Sequence, residues 1–189
     1  MTTTNYPKVT QSGDASIVLR IPGSGDEEAI HAFANDLPSH DLLYLRRDIS
    51  QRPVVDAWLD SVANGESLSL VAEQDGALIG MSALMLDRKS WSPHVGEIRV
   101  LIGEAARGKG LGRAMIQEAF LQALDLNLDK IIAQMTLDQT GARTVFQEMG
   151  FEQEALLKDH VRDRNGNDHD IIIMSCDVTS VSSRMQSYR

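Results

Sequence analysis

The sequence has one cysteine, few aromatic residues and no long apolar run. A single cysteine cannot form an internal disulfide, which favours a reducing compartment. No apolar stretch approaches the roughly 20 residues that cross a bilayer, and the N-terminal MTTTNYPKVT lacks the charged-then-apolar order of a secretory signal. These absences predict a cytoplasmic protein without a membrane partner.

Basic residues are also in short supply. Lys and Arg number 18 against 27 Asp and Glu, which gives a formal net charge of −9. A nucleic-acid binder usually presents a basic face, so we expect no nucleic-acid partner. An acidic protein weakly favours a cationic partner such as an amine. The histidines show neither helical i, i+4 pairs nor clusters with cysteine, so we expect no metal site.

Length and composition predict one globular domain. With 189 residues, of which 42% are apolar, the chain can bury a sizeable core. Residues 1–14 are polar and rich in threonine, and we expect them to be disordered. We expect the polar tail 179–189 to be flexible. Residues 15–178 then form a single domain, because no linker or repeat interrupts them.

Apolar periodicity predicts eleven elements in the order β, α, α, β, β, β, α, β, α, β, β. Asp75-Gly76 and Asn165-Gly166 each separate two strand-like runs and predict hairpins. The last predicted helix begins at a capping Asp138 and stops at Gly150. This order predicts an α+β fold with a central mixed, mostly antiparallel sheet flanked by helices.

The segment ARGKGLGRAM, residues 105–114, has a glycine at every second position from Gly108 to Gly112 and three cations around them. It follows the predicted strand EIRVLIG and opens a helix. The free N–H groups and the dipole of a helix start attract phosphate, and glycines let a ligand approach the backbone. We therefore predict a polyanion site made by main-chain groups.

Two nucleotide-binding motifs fit this segment poorly. A Walker loop ending in Gly-Lys-Ser/Thr is absent, and Arg113 stands where a dinucleotide fingerprint needs its third glycine. A glycine-rich turn with solvated cations, without any ligand, is the remaining alternative.

Arg107-Gly108-Lys109-Gly110-Leu111-Gly112 matches the Arg/Gln-x-x-Gly-x-Gly/Ala signature of the GNAT superfamily of acyl-CoA-dependent N-acyltransferases. ARTVFQEMGF, residues 142–151, resembles the late helix of that family, and the resemblance extends over about residues 17–177. It implies acetyl-CoA as cosubstrate and direct transfer of the acetyl group to a primary amine. The implied diphosphate contacts are Arg107, Gly108, Lys109, Gly110, Leu111, Gly112 and Arg113. The implied pantetheine contacts are Val100, Leu101 and Ile102, where the strand would separate from KIIAQMT.

Glu97 is the candidate catalytic residue. It resembles the glutamate on this strand in GNAT domains that acetylate protein lysines, which implies a general base. An alternative follows from the residues themselves. Arg99 lies two positions further on the same strand face, and a Glu97–Arg99 ion pair would weaken the carboxylate as a base.

The chain departs from the family pattern at two expected cofactor contacts. Phe146 stands where many members have a tyrosine that acts as general acid, and Gln139 replaces a frequent asparagine. The missing tyrosine leaves open a non-catalytic acyl-CoA sensor or an interaction module with the same fold. The acceptor class, the length of the acyl group, and the choice between a monomer and a homodimer also stay open.

Overall fold

The computed structural model describes residues 5–180. The N-terminal residues 1–4 and the end of the predicted flexible tail, residues 181–189, lie outside the described part. The strands are β1 (Lys8–Ser12), β2 (Ala15–Arg20), β3 (Ser67–Gln74), β4 (Ala77–Leu86), β5 (Val95–Ile102), β6 (Lys130–Thr136), β7 (Glu152–Arg162) and β8 (Asp168–Asp177). The α-helices are α1 (Glu27–Asp36), α2 (Arg52–Ala63), α3 (Leu111–Asp125) and α4 (Thr140–Glu148).

The strands form one eight-stranded sheet in the order β1-β2-β3-β4-β5-β6-β8-β7. Its neighbours pair antiparallel except for β5 and β6, which are parallel. Side chains of α1 and α2 share one buried cluster, and those of α3 and α4 share another. On β4, Met81 belongs to the α1–α2 cluster and Leu84 to the α3–α4 cluster. Because odd- and even-numbered residues of a strand point to opposite faces, the two helix pairs cover opposite faces of the sheet. The predicted mixed, mostly antiparallel sheet flanked by helices is confirmed.

The β3–β4 hairpin forms where the sequence predicted it. Gln74 pairs with Ala77 across the two-residue turn Asp75-Gly76. Both turn residues have positive φ, 52° and 80°. Asp and Gly are favoured there because this turn matches the twist of the strands.

The N-terminal segment differs from the expected disorder over residues 1–14. Lys8–Ser12 forms β1, which pairs antiparallel with β2. The Tyr6 hydroxyl donates to the buried Glu118 carboxylate (3.0 Å), and Lys8 forms an ion pair with the same group. The strand is short and polar and shows no apolar period, so its pairing with β2 and these contacts with α3 distinguish it from a disordered end.

None of the described helices has both the length and the apolar content to span a bilayer.

Candidate functional site

The sheet opens between its two parallel strands. The β5–β6 pairing covers Val95 to Ile98 on β5 and ends at the Ile98–Ala133 pair. β5 nevertheless continues to Ile102, and β6 continues to Thr136. Four residues of β5 therefore border a gap in the sheet, at the place that the family resemblance implied for Val100, Leu101 and Ile102.

Main-chain groups of β5 alternate between its two neighbours. The Gly103 N–H donates across to the Ile79 carbonyl of β4 (2.9 Å), so the groups of Leu101 also face β4. Those of Val100 and Ile102 face the opposite way, into the gap. A ligand with amide groups can continue the interrupted ladder there.

Two side chains already bind carbonyls at this edge. The Tyr44 hydroxyl donates to the Val100 carbonyl (2.7 Å), and the Arg107 Nε donates to the Ile102 carbonyl (3.1 Å). Since Val100 and Ile102 lie beyond the last β6 pair, their N–H groups have no ladder partner in β6. These two N–H groups are the donors that the gap offers to a ligand.

The glycine segment forms a loop that leads into α3. Gly108 and Gly110 have φ of 73° and 86°, values that favour glycine. The Ala114 N–H donates to the Gly110 carbonyl (3.1 Å) at the start of the helix. The amides of Leu111, Gly112 and Arg113 precede that bond, so they are the free donors of the helix end.

A cavity of about 650 Å³, here called the loop cavity, lies between this loop, the β5–β6 gap and the start of α4. Ten of the twelve residues predicted to bind the cofactor line it: Val100, Leu101, Ile102, Arg107, Gly108, Gly110, Gly112, Arg113, Gln139 and Phe146. Lys109 and Leu111 do not. Leu111 is buried against Ile17 and Met115, and the Lys109 Nζ donates to the Ala105 carbonyl (2.8 Å).

The cations around the loop bind protein groups in this structure. Arg107 forms an ion pair with Asp41 (2.5 Å), and Arg113 forms one with Glu148 of α4. Together with the Lys109–Ala105 contact, these bonds direct all three cations to protein acceptors. The main-chain N–H groups at the start of α3 are therefore the donors that these contacts leave available to an anion.

The turn of the β1–β2 hairpin supports the loop from behind. The buried Ser12 Oγ donates to the Lys109 carbonyl (2.9 Å). This bond holds the peptide plane between Lys109 and Gly110, directly before the free donors of the helix end. β1 therefore helps to shape the loop.

Ser12→Ala is expected to weaken coenzyme A binding about two- to tenfold, because one hydrogen bond contributes about 0.5–1.5 kcal/mol. Isothermal titration with coenzyme A measures this change. Ser16→Ala, at an exposed position of β2 in the same hairpin, is the control and should bind like the wild type. Equal affinity in both variants would remove the hairpin from the site.

Tyr44 lines the loop cavity without having been predicted from the sequence. It follows a short 3₁₀ turn, Ser39–Leu42, between α1 and α2. Burial and the nearby Asp41 raise the pKa of its hydroxyl, although Arg99 and Arg107 oppose the shift. Tyr44 is therefore a hydrogen-bond donor to the backbone and a poor acid.

His40 and Asp138 form a second unpredicted contact at the cavity wall. The His40 Nε2 lies 3.0 Å from the Asp138 carboxylate and 3.2 Å from the Thr136 hydroxyl. Burial raises the pKa of Asp138, but hydrogen bonds from Thr136 and His40 outweigh it and lower the pKa. Asp138 was predicted to cap α4, yet Gln139 occupies the cap position without a side-chain capping bond. The Asp138 carboxylate instead joins α4 to the α1–α2 connection.

Phe146 also lines the loop cavity, at the position that the sequence comparison with the family marked as a missing tyrosine. It packs edge-to-face on Phe151, with ring centroids 4.9 Å apart. The ring supplies an apolar wall and no proton.

A second cavity of about 550 Å³ lies on the α1–α2 face of the sheet. We call it the arginine cavity, because Arg46, Arg47 and Arg99 line it. Glu97 lies in its wall with 8% of its surface exposed. The Arg99 Nε donates to Glu97 Oε1 (2.9 Å), and the Arg46 Nη2 lies 3.5 Å from Glu97 Oε2. The Glu97–Arg99 pair that the sequence left open is therefore formed.

The loop cavity fits coenzyme A in the chemistry of its donors. A diphosphate needs several convergent N–H groups, and the helix start with its glycine loop offers them. A pantetheine arm carries amide groups, and the N–H groups of Val100 and Ile102 face the gap that would hold it. Among residues 5–180, no group of three or more His, Cys, Asp or Glu side chains is arranged to hold a metal ion.

Comparison with known proteins agrees with this geometry. The model of the acetyltransferase (GNAT) family matches residues 32–151. No curated protein matches the chain by sequence. Solved structures match it in fold. The ribosomal-protein-alanine N-acetyltransferase from Brucella melitensis is 23% identical with a TM-score of 0.74, over 84% of this chain and 98% of that one.

Two further structures have the same fold and were solved with cofactor. The spermidine N-acetyltransferase from Vibrio cholerae, in complex with CoA and spermine, is 21% identical with a TM-score of 0.72, over 87% of this chain and 97% of its own. The phosphinothricin acetyltransferase from Sinorhizobium meliloti, in complex with AcCoA, is 20% identical with a TM-score of 0.74, over 85% of this chain and 88% of its own. The chain therefore belongs to the acetyltransferase (GNAT) family.

Proposed function

We propose that this protein transfers the acetyl group of acetyl-CoA to a primary amine by direct attack in a ternary complex. One observation carries the proposal: the loop cavity and the arginine cavity meet at β5, and Leu101 lines both. A cofactor in one cavity and an amine in the other would approach each other across this strand. Such positioning replaces a bimolecular encounter by a reaction within one complex.

The main chain is assigned the binding of the cofactor. Amides from Gly108 to Arg113 donate to the diphosphate, and the N–H groups of Val100 and Ile102 donate to the pantetheine arm. Bound acetyl-CoA supplies the activated acyl thioester. Tyr44 keeps the Val100 carbonyl occupied, and this fixes the edge of β5 against which the arm would lie.

Glu97 is assigned the role of general base. An amine with a pKa near 10.4 must lose a proton before it attacks, which costs about 4 kcal/mol at neutral pH. Arg99 Nε binds Glu97 Oε1, but Arg46 approaches Oε2 only to 3.5 Å and is 72% exposed. Oε2 is therefore the oxygen that would accept the proton, directly or through a water molecule.

The leaving thiolate needs less assistance than the amine. A thiol with a pKa near 8.5 is about one unit from neutrality, so leaving as the thiolate costs roughly 1.5 kcal/mol. Phe146 cannot donate a proton, and Tyr44 is a poor acid bound to a carbonyl. We assign protonation of the thiolate to water.

The test is a thiol-release assay with acetyl-CoA and a panel of acceptors: a small alkylamine, a polyamine, amino acids and a lysine peptide. Acceptor-dependent release of free thiol, with the acetylated amine identified by mass, is the expected result. Thermal stabilisation by coenzyme A without release for any acceptor would favour a sensor. No stabilisation at all would favour an interaction module.

A further inference from the structure

Resting on the proposed function, we propose that the acceptor is a small α-amino acid whose carboxylate binds Arg99. The amine would then lie beside Glu97, and the side chain would extend along the rest of the arginine cavity.

Arg99 is placed to bind an anion in this cavity. Its side chain lies in the cavity wall with 18% of its surface exposed. The Nε bond to Glu97 orients the guanidinium. Within residues 5–180, its two Nη atoms donate no hydrogen bond, so this edge can bind both oxygens of a carboxylate.

Positive charge is in excess at this end of the cavity. Arg46, Arg47 and Arg99 line the cavity, and Arg46 and Arg99 both reach the Glu97 carboxylate. Two guanidinium groups therefore share one carboxylate, and Arg47 adds a third positive charge to the cavity lining. A ligand that brings a further negative charge would balance the cluster.

The other carboxylates of the cavity lie at its far end. Arg99 pairs with Ala83 and Glu97 pairs with Met85. Asp87 directly follows the end of β4, four residues after Ala83, so its backbone lies about 13 Å further along the strand direction at roughly 3.3 Å per residue. Glu66 lies near it, since the Leu86 N–H donates to the Glu66 carbonyl (3.2 Å). The arginine cavity therefore has a positive end at Arg99 and a negative end at Asp87 and Glu66.

The positive end is also the end nearest the cofactor. Arg99 immediately follows Ile98, where the β5–β6 gap begins. An amine that attacks across β5 must therefore lie close to the arginines. A simple ammonium or polyamine would meet like charge there, whereas an α-carboxylate next to the amine would neutralise the guanidinium groups.

The size and the apolar lining of the arginine cavity also suit this acceptor. A cavity of about 550 Å³ suits a small molecule. Apolar residues of the lining, Trp58 and Met85 among them, can pack against the acceptor side chain.

Matched pairs of acceptors test the inference. Phenylalanine is compared with phenethylamine, and lysine with cadaverine, so that each pair differs by the carboxylate. We expect kcat/KM to be at least tenfold higher for the amino acid of each pair. Arg99→Gln should remove most of this preference, mainly through KM, and Arg47→Gln should reduce it a few-fold without touching the Glu97 pair.

Arg88→Gln is the matched control. Arg88 lies exposed in the β4–β5 loop and does not line the arginine cavity, so its loss removes the same charge at a neighbouring position. We expect this variant to keep the wild-type preference.

Two results would overturn the inference while leaving the proposed function intact. One is faster acetylation of the amine than of the matching amino acid. The other is an equal loss of kcat/KM for the amino acid and its matching amine in Arg99→Gln, together with an unchanged preference for the amino acid in Arg47→Gln. If no acceptor is acetylated, the proposed function fails. The ligand preference of the arginine cavity is then tested by binding alone. Thermal stabilisation of the coenzyme A complex by the amino acid alone would support the inference, and stabilisation by the amine alone would overturn it.

Discussion

Glu97→Gln is expected to lower kcat about 100- to 1,000-fold and to leave acetyl-CoA affinity within about twofold. General base catalysis contributes on the order of 10²–10⁴, and the amide of Gln cannot accept the proton. Glu97 lies in the arginine cavity and does not line the loop cavity, so the cofactor contacts stay intact. Steady-state thiol release and titration with coenzyme A measure the two quantities.

The pH dependence of turnover in Glu97→Gln distinguishes a general base from a residue that only stabilises the structure. As the pH approaches the pKa of the acceptor amine, more amine is already neutral and the base matters less. The deficit of Glu97→Gln should therefore shrink at alkaline pH. Glu154→Gln, which breaks an exposed ion pair with Lys130 whose two residues line neither cavity, should behave like the wild type. Unchanged turnover in Glu97→Gln would remove the assignment.

Gly110→Asp is expected to weaken coenzyme A binding by about 1,000-fold. A carboxylate about 4 Å from a phosphate costs about 4 kcal/mol at an effective dielectric constant near 20. A Cβ added at Gly110 meets no atom within 4 Å, so the protein itself can accommodate the side chain. Asp also tolerates the left-handed backbone that a φ of 86° requires. Titration with coenzyme A measures the loss.

Two companion variants separate charge from shape and strain. Gly110→Asn keeps the size of the side chain without its charge, and we expect only about a tenfold loss. Gly76→Asp introduces the same residue at φ 80° in the β3–β4 turn, where an added Cβ also meets no atom within 4 Å. We expect Gly76→Asp to change the Tm as little as Gly110→Asp does, and to bind coenzyme A like the wild type. Comparable losses in Gly110→Asp and Gly76→Asp would argue against diphosphate binding at this loop.

The contacts of β1 and Asp138 with other elements could not have been obtained from local patterns. β1 pairs locally with β2, but Tyr6 and Lys8 also bind Glu118, more than one hundred residues later in the chain. Asp138 has the composition and position of a helix cap, but its carboxylate binds His40 from another element. In both cases a tertiary contact competes with, and outweighs, the local preference of the residue.

The glycine loop at the start of α3 was determined by the sequence alone. A strand, glycines at alternate positions and a helix start are contiguous, so their geometry follows from local backbone preferences. The same holds for the Asp75-Gly76 turn and for Glu97 and Arg99 on one strand face. The arginine cavity was decided only by tertiary structure. It combines Arg46 and Arg47 of the α1–α2 connection with a strand some fifty residues later, and a single sequence does not record which distant segments pack together.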